Sequence, residues 1–275
     1  MSLLRDRMAL LEAVVTLAGQ AGEAIRTIYE RGDISVTRKA DDSPLTEADM
    51  AAHHLIDAGL KALTPEVPVL SEESAAVDIA ERLSWPLFWL VDPLDGTQEF
   101  IRRNGEFTVN IALIEDGVPV MGVVQVPVTG EVFLGLNTDK VTGAWHQSGH
   151  VRDAIRARSP ASPVTLVASR RHGAGAVAAL EDAIEARMGP VARTSMGSSL
   201  KLCRIAQGRA DIYPRLAPTA EWDTAAAHAI VKAAGGEVLG PDFLPLRYQK
   251  EDLLNPHFLV TGSEPERWRF LKPLL

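Results

Sequence analysis

Residues 85–91, Trp-Pro-Leu-Phe-Trp-Leu-Val, form an apolar run that stops at two carboxylates in Asp92-Pro-Leu-Asp95-Gly-Thr97. A run this short and this apolar is the pattern of a buried strand. The chain must therefore build a sheet that encloses this strand, and the Asp-Pro turn must lie at its end. A short helical segment follows over 98–103. That arrangement can set Asp92 and Asp95 side by side at the mouth of the sheet.

Two rhythms flank this strand. Leu4, Met8, Leu11, Val15, Ala18, Ile25 and Tyr29 recur at helical steps, and Gly32 ends that helix. Thr46 starts a second helix, with Leu55, Ala58 and Ala62 expected on its inner face. Phe107, Val109, Ile111 and Leu113 alternate with Thr108, Asn110 and Ala112, a strand period. Asp116-Gly117 makes a hairpin turn, and 118–126 and 131–136 continue as strands. The first half thus reads as two helices and an antiparallel meander. From Val164 onward, strands and helices alternate, which indicates an α/β layer. Residues 152–163 are the best boundary, giving halves 1–155 and 156–275 of an α+β protein.

Composition narrows the function. The 275 residues carry 28 Lys+Arg against 36 Asp+Glu, a net charge of −8, which argues against a coat for nucleic acid. A single cysteine, Cys203, excludes an internal disulfide framework and any multi-Cys metal site. It reads as a small core residue. No stretch of about 18 uninterrupted apolar residues is present, so no transmembrane segment is expected. A cytoplasmic location is the expectation.

Two carboxylates as close as Asp92 and Asp95 repel unless cations lie between them. Oxygen ligands without Cys or clustered His point to Mg²⁺ or Mn²⁺ rather than Zn²⁺. The same stretch also fits a solvated turn, since Asp-Pro and Asp-Gly are ordinary turn formers. Glu72 and Glu73 follow another strand end. Asp223 starts an Ala-rich helix, where the dipole alone explains an acid. Asp49 closes Thr46-Glu-Ala-Asp49, a capping-box pattern. His53 and His54 point in different directions on one helix, and neither reads as a ligand. In the second half, three strand-end turns carry cations or helix starts: His172 in 169–173, Ser198, Ser199 and Lys201 in 197–201, and Arg215 after Tyr213-Pro214. Each alone fits surface charge or capping; together they fit anion contact.

These residues carry a resemblance. Over about residues 18–258 the chain resembles the inositol monophosphatase family of metal-dependent, lithium-sensitive phosphatases, above all its bacterial bisphosphate nucleotidase branch. The matching segments are 42–49, 68–73, 89–97, 103–114, 197–201 and 222–230. The resemblance implies a layered α-β-α-β-α sandwich. It implies that Glu72, Asp92, Asp95, Asp223 and the carbonyl of Leu94 hold two or three Mg²⁺ or Mn²⁺ ions, with Asp92 bridging. It implies that Thr97, with Glu72 or Asp49, orients and deprotonates the attacking water. The implied reaction is hydrolysis of the 3'-phosphate of 3'-phosphoadenosine 5'-phosphate to AMP and phosphate, in support of sulfur assimilation. Gly96 and Thr97 would bind the transferred phosphate. His172, Ser198, Ser199, Lys201 and Arg215 would dock the second phosphate and the adenosine. Gln98 stands where this branch commonly has Lys, which removes one cation near the phosphate. The rivals are an inositol-1-phosphate or sugar-phosphate phosphatase and a silent nucleotide- or metal-binding regulator. The expected partner is a small phosphorylated nucleotide, in the cytoplasm or peripheral to the inner membrane. The sequence gives no oligomeric state.

Overall fold

Helix α1 (Arg7–Arg31) is capped by the Asp6 carboxylate, which accepts from Ala9 N at 3.1 Å, and it ends at Gly32 with φ 88°. The structure is a computed structural model that describes residues 6–32, 36–38, 44–74, 77–168 and 174–275. A small ribbon, β1 (Val36–Arg38) with β2 (Pro44–Thr46), leads into α2 (Glu47–Leu63). By length and composition α1 is apolar enough to cross a membrane. In this fold its apolar stripe, Leu10 to Ile28, is buried against α2 and the first sheet.

The inner face of α2 differs from the expected one. Ala48, Asp49, Ala52, His53, Ile56 and Leu60 are buried, whereas Leu55 is half-buried and Ala58 and Ala62 are exposed. Both stripes have helical spacing. The stripe with polar members lies inside because those members are satisfied there: Asp49 by Thr46, and His53 Nδ1 by Ser71 Oγ at 3.0 Å.

The first sheet has seven strands in the order β3 (Val69–Ser71), β4 (Leu87–Asp95), β5 (Thr108–Glu115), β6 (Val118–Gln125), β7 (Val132–Asn137), β8 (Thr142–Ser148) and β9 (Val151–Ala154). Short helices α3 (Ile79–Leu83) and α4 (Thr97–Ile101) flank β4. The β3–β4 pair is parallel and the others are antiparallel. Residues 88 and 90 of β4 face one core and residues 89 and 91 the other, so β4 is covered on both sides. Asp92 pairs with Asn110 and Asp95 with Thr108, so β4 spends one extra residue between them. This bulge puts both carboxylates on the same face of the sheet.

The second half adds β10 (Val164–Ala168), α5 (Ala174–Met188), β11 (Val191–Ser195), α6 (Leu200–Ala206), β12 (Ile212–Arg215), α7 (Glu221–Ala233), β13 (Glu237–Leu239), β14 (Phe258–Thr261) and a closing 3-10 helix (Pro265–Leu274). Its five-stranded sheet runs β11-β10-β12-β14-β13, parallel around β10 and antiparallel around β14. Cys203 is a buried core residue of α6. The layers stack as α1/α2, first sheet, α6/α7, second sheet, then α5 with the 3-10 helix. This is the α-β-α-β-α sandwich. The middle layer meets both sheets, and one apolar core holds residues of both halves.

Helix α7 sits on a row of small residues. Ala112, Gly122, Gly135 and Ala144 are cross-strand partners on β5 to β8. A Cβ on Gly122 would lie 2.0 Å from Ala226 O, so only bare backbone admits the helix this close.

Candidate active site

The site lies where the ends of β3 and β4 meet the start of α7. Carboxylate oxygens of Asp92, Asp95 and Asp223 lie within 4.8 Å of one another. Glu72 follows β3, and its charge acts on both Asp92 and Asp223. Asp92 is buried, with Oδ1 accepting from Leu94 N at 3.0 Å. Burial first, then the charges of Glu72, Asp95, Asp223 and Asp49, raise its pKa well above the usual carboxylate range. Asp223 is pushed up to about 8, by burial first and then by Asp95 and Glu72. Like charges this close cannot all ionise without a counter-charge.

Asp49 faces two ways. Its Oδ2 accepts from Thr46 N at 2.8 Å and Thr46 Oγ1 at 2.5 Å, which completes the capping box. Its Oδ1 accepts from Thr97 Oγ1 at 3.3 Å, and that hydroxyl also lies 3.4 Å from Leu94 O. The capping reading and the catalytic one thus describe different oxygens of the same carboxylate. Gly96, at φ 94°, begins α4.

A cleft of about 190 Å³ opens beside the acids. Asp95 and Asp223 line it together with Gly96, Ser198, Ser199, Lys201 and Arg215. Ser199 N donates to Asp95 Oδ2 at 2.6 Å, and Ser199 Oγ donates to Asp223 O at 2.6 Å. Ser199 therefore ties α6 to two of the acids rather than standing ready for a ligand. Lys201 is buried, donates to Ser198 O at 2.6 Å, and lies 5.5 Å from the Tyr213 ring centroid. Burial lowers its pKa to about 8. Arg215 donates to Ala217 O and Pro218 O at 3.1 and 3.0 Å. Ser198 Oγ is buried with no hydrogen-bond partner among the described residues. His172 lies outside the described residues. The structure thus brings together Asp49, Glu72, Asp92, Leu94, Asp95, Gly96, Thr97, Ser198, Ser199, Lys201, Arg215 and Asp223 around one cleft and its rim.

Asn110 belongs to the site although sequence reasoning passed over it. Its Nδ2 donates to Ser199 Oγ at 3.0 Å and Asp95 Oδ2 at 3.4 Å. The signal was its place in an otherwise apolar strand, which reads as a solvated face until both faces are seen to be covered. His53 holds Ser71, the residue before Glu72. His228 is structural, lodged between Tyr248 Oη and Glu237 Oε1 at 3.0 and 3.2 Å.

The donor set fits a divalent cation. It is all oxygen, with no sulfur or imidazole in the cluster, and burial first, then repulsion among the acids, raises the pKa of Asp92 and Asp223, a shift that a bound positive charge would oppose.

The profile of the inositol monophosphatase family matches residues 6–268, and the chain belongs to that family. The 3'(2'),5'-bisphosphate nucleotidase CysQ of Escherichia coli K12 is 47% identical over 254 residues, 92% of this chain and 99% of the relative. The protein of that name from Salmonella typhimurium is 48% identical over 255 residues, again 92% and 99% of the two chains. Among solved structures, CysQ from Bacteroides thetaiotaomicron superposes with a TM-score of 0.80 at 44% identity, covering 93% of this chain and 98% of the other. An inositol monophosphatase from Thermotoga maritima shares the fold, with a TM-score of 0.76 at 21% identity over 98% of each chain.

Proposed function

We propose that this chain is a metal-dependent 3'(2'),5'-bisphosphate nucleotidase. It hydrolyses the 3'-phosphate of 3'-phosphoadenosine 5'-phosphate to AMP and phosphate, in the cytoplasm and in support of sulfur assimilation. The observation that carries this reading is the mixed lining of one cleft. Asp95 and Asp223 line it together with Lys201, Arg215 and the unpartnered Ser198 hydroxyl. A monophosphate needs only the acids and the cations they hold, whereas a bisphosphate also needs the Lys201 and Arg215 charges. The curated relatives at 47% and 48% identity carry the same activity in their names.

Glu72, Asp92, Asp95, Asp223 and the Leu94 carbonyl would hold Mg²⁺. When bound, Mg²⁺ supplies positive charge to the phosphoryl and leaving oxygens and lowers the pKa of water. The chain supplies the rest. Thr97 Oγ1 donates to Asp49 Oδ1, so its lone pairs are left to accept a proton from the attacking water. Asp49 receives the proton that Thr97 passes on. The Thr46 donors hold the other oxygen of Asp49, which aims the carboxylate at Thr97. Amides at Gly96 and Thr97 are our candidates for the phosphoryl oxygens, where preorganised donors contribute most. Ser198, Lys201 and Arg215 receive the second phosphate. A phosphate oxygen would satisfy Ser198 Oγ, and its charge would offset the cost of burying the Lys201 ammonium.

The test is phosphate release in Mg²⁺ from 3'-phosphoadenosine 5'-phosphate and from inositol 1-phosphate, with Asp95→Asn as control. We expect the bisphosphate to win by kcat/KM. The variant, which keeps the size of the side chain but loses a charge, should drop by roughly a thousandfold. A preference for inositol 1-phosphate would overturn the substrate while leaving the acid cluster intact. Near-normal turnover of the variant at limiting Mg²⁺ would overturn the cluster.

A further inference from the structure

Glu221 is fully buried two residues before Asp223, and the reaction above does not use it. Its Oε2 accepts from Gln249 N at 2.8 Å. Its Oε1 accepts from Lys250 N at 3.0 Å and from Lys250 Nζ at 2.5 Å. The same loop returns to grip the helix start. Glu221 N donates to Leu253 O at 2.8 Å, and Asn255 Nδ2 donates to Ala220 O at 2.7 Å. The first turn of α7 is thus held from several sides by residues 249–255.

The other edge of this loop is tied to the opposite side of the site. Arg82, on α3 and buried, donates from Nη1 to Lys250 O at 2.6 Å and from Nη2 to Glu251 O at 2.9 Å. Gln249, at φ 71°, donates back from Nε2 to Arg82 O at 2.8 Å and Trp85 O at 2.6 Å. That corner leads directly into β4, which carries Asp92. Arg82 and Glu72 also line one cavity, with Trp222 and Leu253 on its wall.

We propose that residues 249–255, anchored by Glu221 and Arg82, form a positioning strap that sets Asp223 against Glu72 and Asp92. The inference rests on the metal reading of the acid cluster. Without a strap, α7 can relieve the repulsion among the acids by shifting outward, and the cation would then have to draw it back. With the strap, the spacing is fixed beforehand. The buried Glu221 charge is itself compensated, by two backbone N–H groups and one ammonium. Gln at this position turns one acceptor into a donor that faces other donors, so the anchor fails while the volume is kept.

The experiment measures Mn²⁺ binding by calorimetry to chelator-stripped full-length protein: wild type, Glu221→Gln and Lys250→Met. Lys250→Met removes only the Nζ donor and leaves the backbone contacts, so it keeps the test open if Glu221→Gln does not fold. We expect the Mn²⁺ Kd to weaken about tenfold in Glu221→Gln and a few-fold in Lys250→Met, the range for residues that orient metal ligands. Half-saturating Mg²⁺ for activity should rise by the same factors, with kcat at saturating Mg²⁺ nearly kept. Wild-type Kd in both variants, even with a lowered melting temperature, would overturn the strap and leave a merely structural loop. Wild-type Kd in Lys250→Met alone would overturn it where Glu221→Gln does not fold. Failure of the wild type itself to bind Mn²⁺ would remove the metal reading and the strap with it. The wild-type trace tells these failures apart.

Discussion

Asp223 holds the first turn of α7 through Ala220 N at 2.9 Å and faces Asp95 and Glu72 at the same time. Its pKa of about 8 in the folded chain stands against an ordinary value near 3.8. Between those values the unfolded chain has released the proton and the folded chain still keeps it. The unfolded state then binds fewer protons, so metal-free stability falls as pH rises from about 4 to about 8 and is flat above that. Asparagine has no such proton. In calorimetry with chelator at pH 8, Asp223→Asn should therefore melt several degrees above wild type, with the gap closing toward pH 4. Added Mg²⁺ should restore the wild type and leave the variant unmoved. Equal melting at pH 8 would show that the acid repulsion has no such cost. The acids themselves were legible in the sequence because each stands at the end of an apolar run or the start of a helix. His53 and Asn110 were not. A polar residue on a helix or strand reads as solvated, and only the tertiary cover makes Asn110 a bridge between Asp95 and Ser199.

Helix α7 reaches its place because the first sheet gives way beneath it. A Cβ on Gly122 would meet Ala226 O at 2.0 Å, and one on Gly135 would meet Ile230 Cα at 2.7 Å. Both neighbours are backbone, so no side chain can rotate away. Gly122→Ala should cost about 1–3 kcal/mol of stability, the usual penalty of overpacking. It should also raise the Mg²⁺ needed for half-maximal activity, because the displaced helix carries Asp223. Gly19→Ala is the control, since nothing lies within 4 Å of the added atom on α1. It should be neutral or slightly stabilising by helix propensity. Urea titration of both variants, read with their Mg²⁺ dependence, checks this; equal stability of the two would contradict the close seat of α7. The Ala-rich helix was readable from 224–234, and so were most strands up to Leu136. Strands β8, β9, β13 and β14 were not. β9 is exposed throughout, so no apolar pattern marks it, and β13 and β14, though buried, are only three and four residues long, too short to show a period.

Over the whole molecule, the cleft lies at the seam between two sheets that read as separate rhythms. The change of rhythm near residue 156 was visible, but the stacking was not. Helix α7 belongs by sequence to the second half, yet it covers the first sheet, a long-range choice that no local pattern records. The seam brings acids and cations from different layers to one cleft. The first sheet and α7 supply the acids, while α6 and β12 supply Lys201 and Arg215. If the second group serves only the second phosphate, it can be removed without harming the first. Lys201 carries its charge against the cost of burial, so Lys201→Met takes away a desolvated ammonium and should not unfold the chain. We expect Lys201→Met and Arg215→Met each to raise KM for 3'-phosphoadenosine 5'-phosphate by about tenfold or more, since each deletes a charge-assisted contact. Turnover of 3'-AMP, which lacks the second phosphate, should stay within a few-fold of wild type. The preference for the bisphosphate would then collapse while the reaction survived. Equal losses on both substrates would place these cations in the chemistry of the first phosphate, and their assignment to the second phosphate would fail.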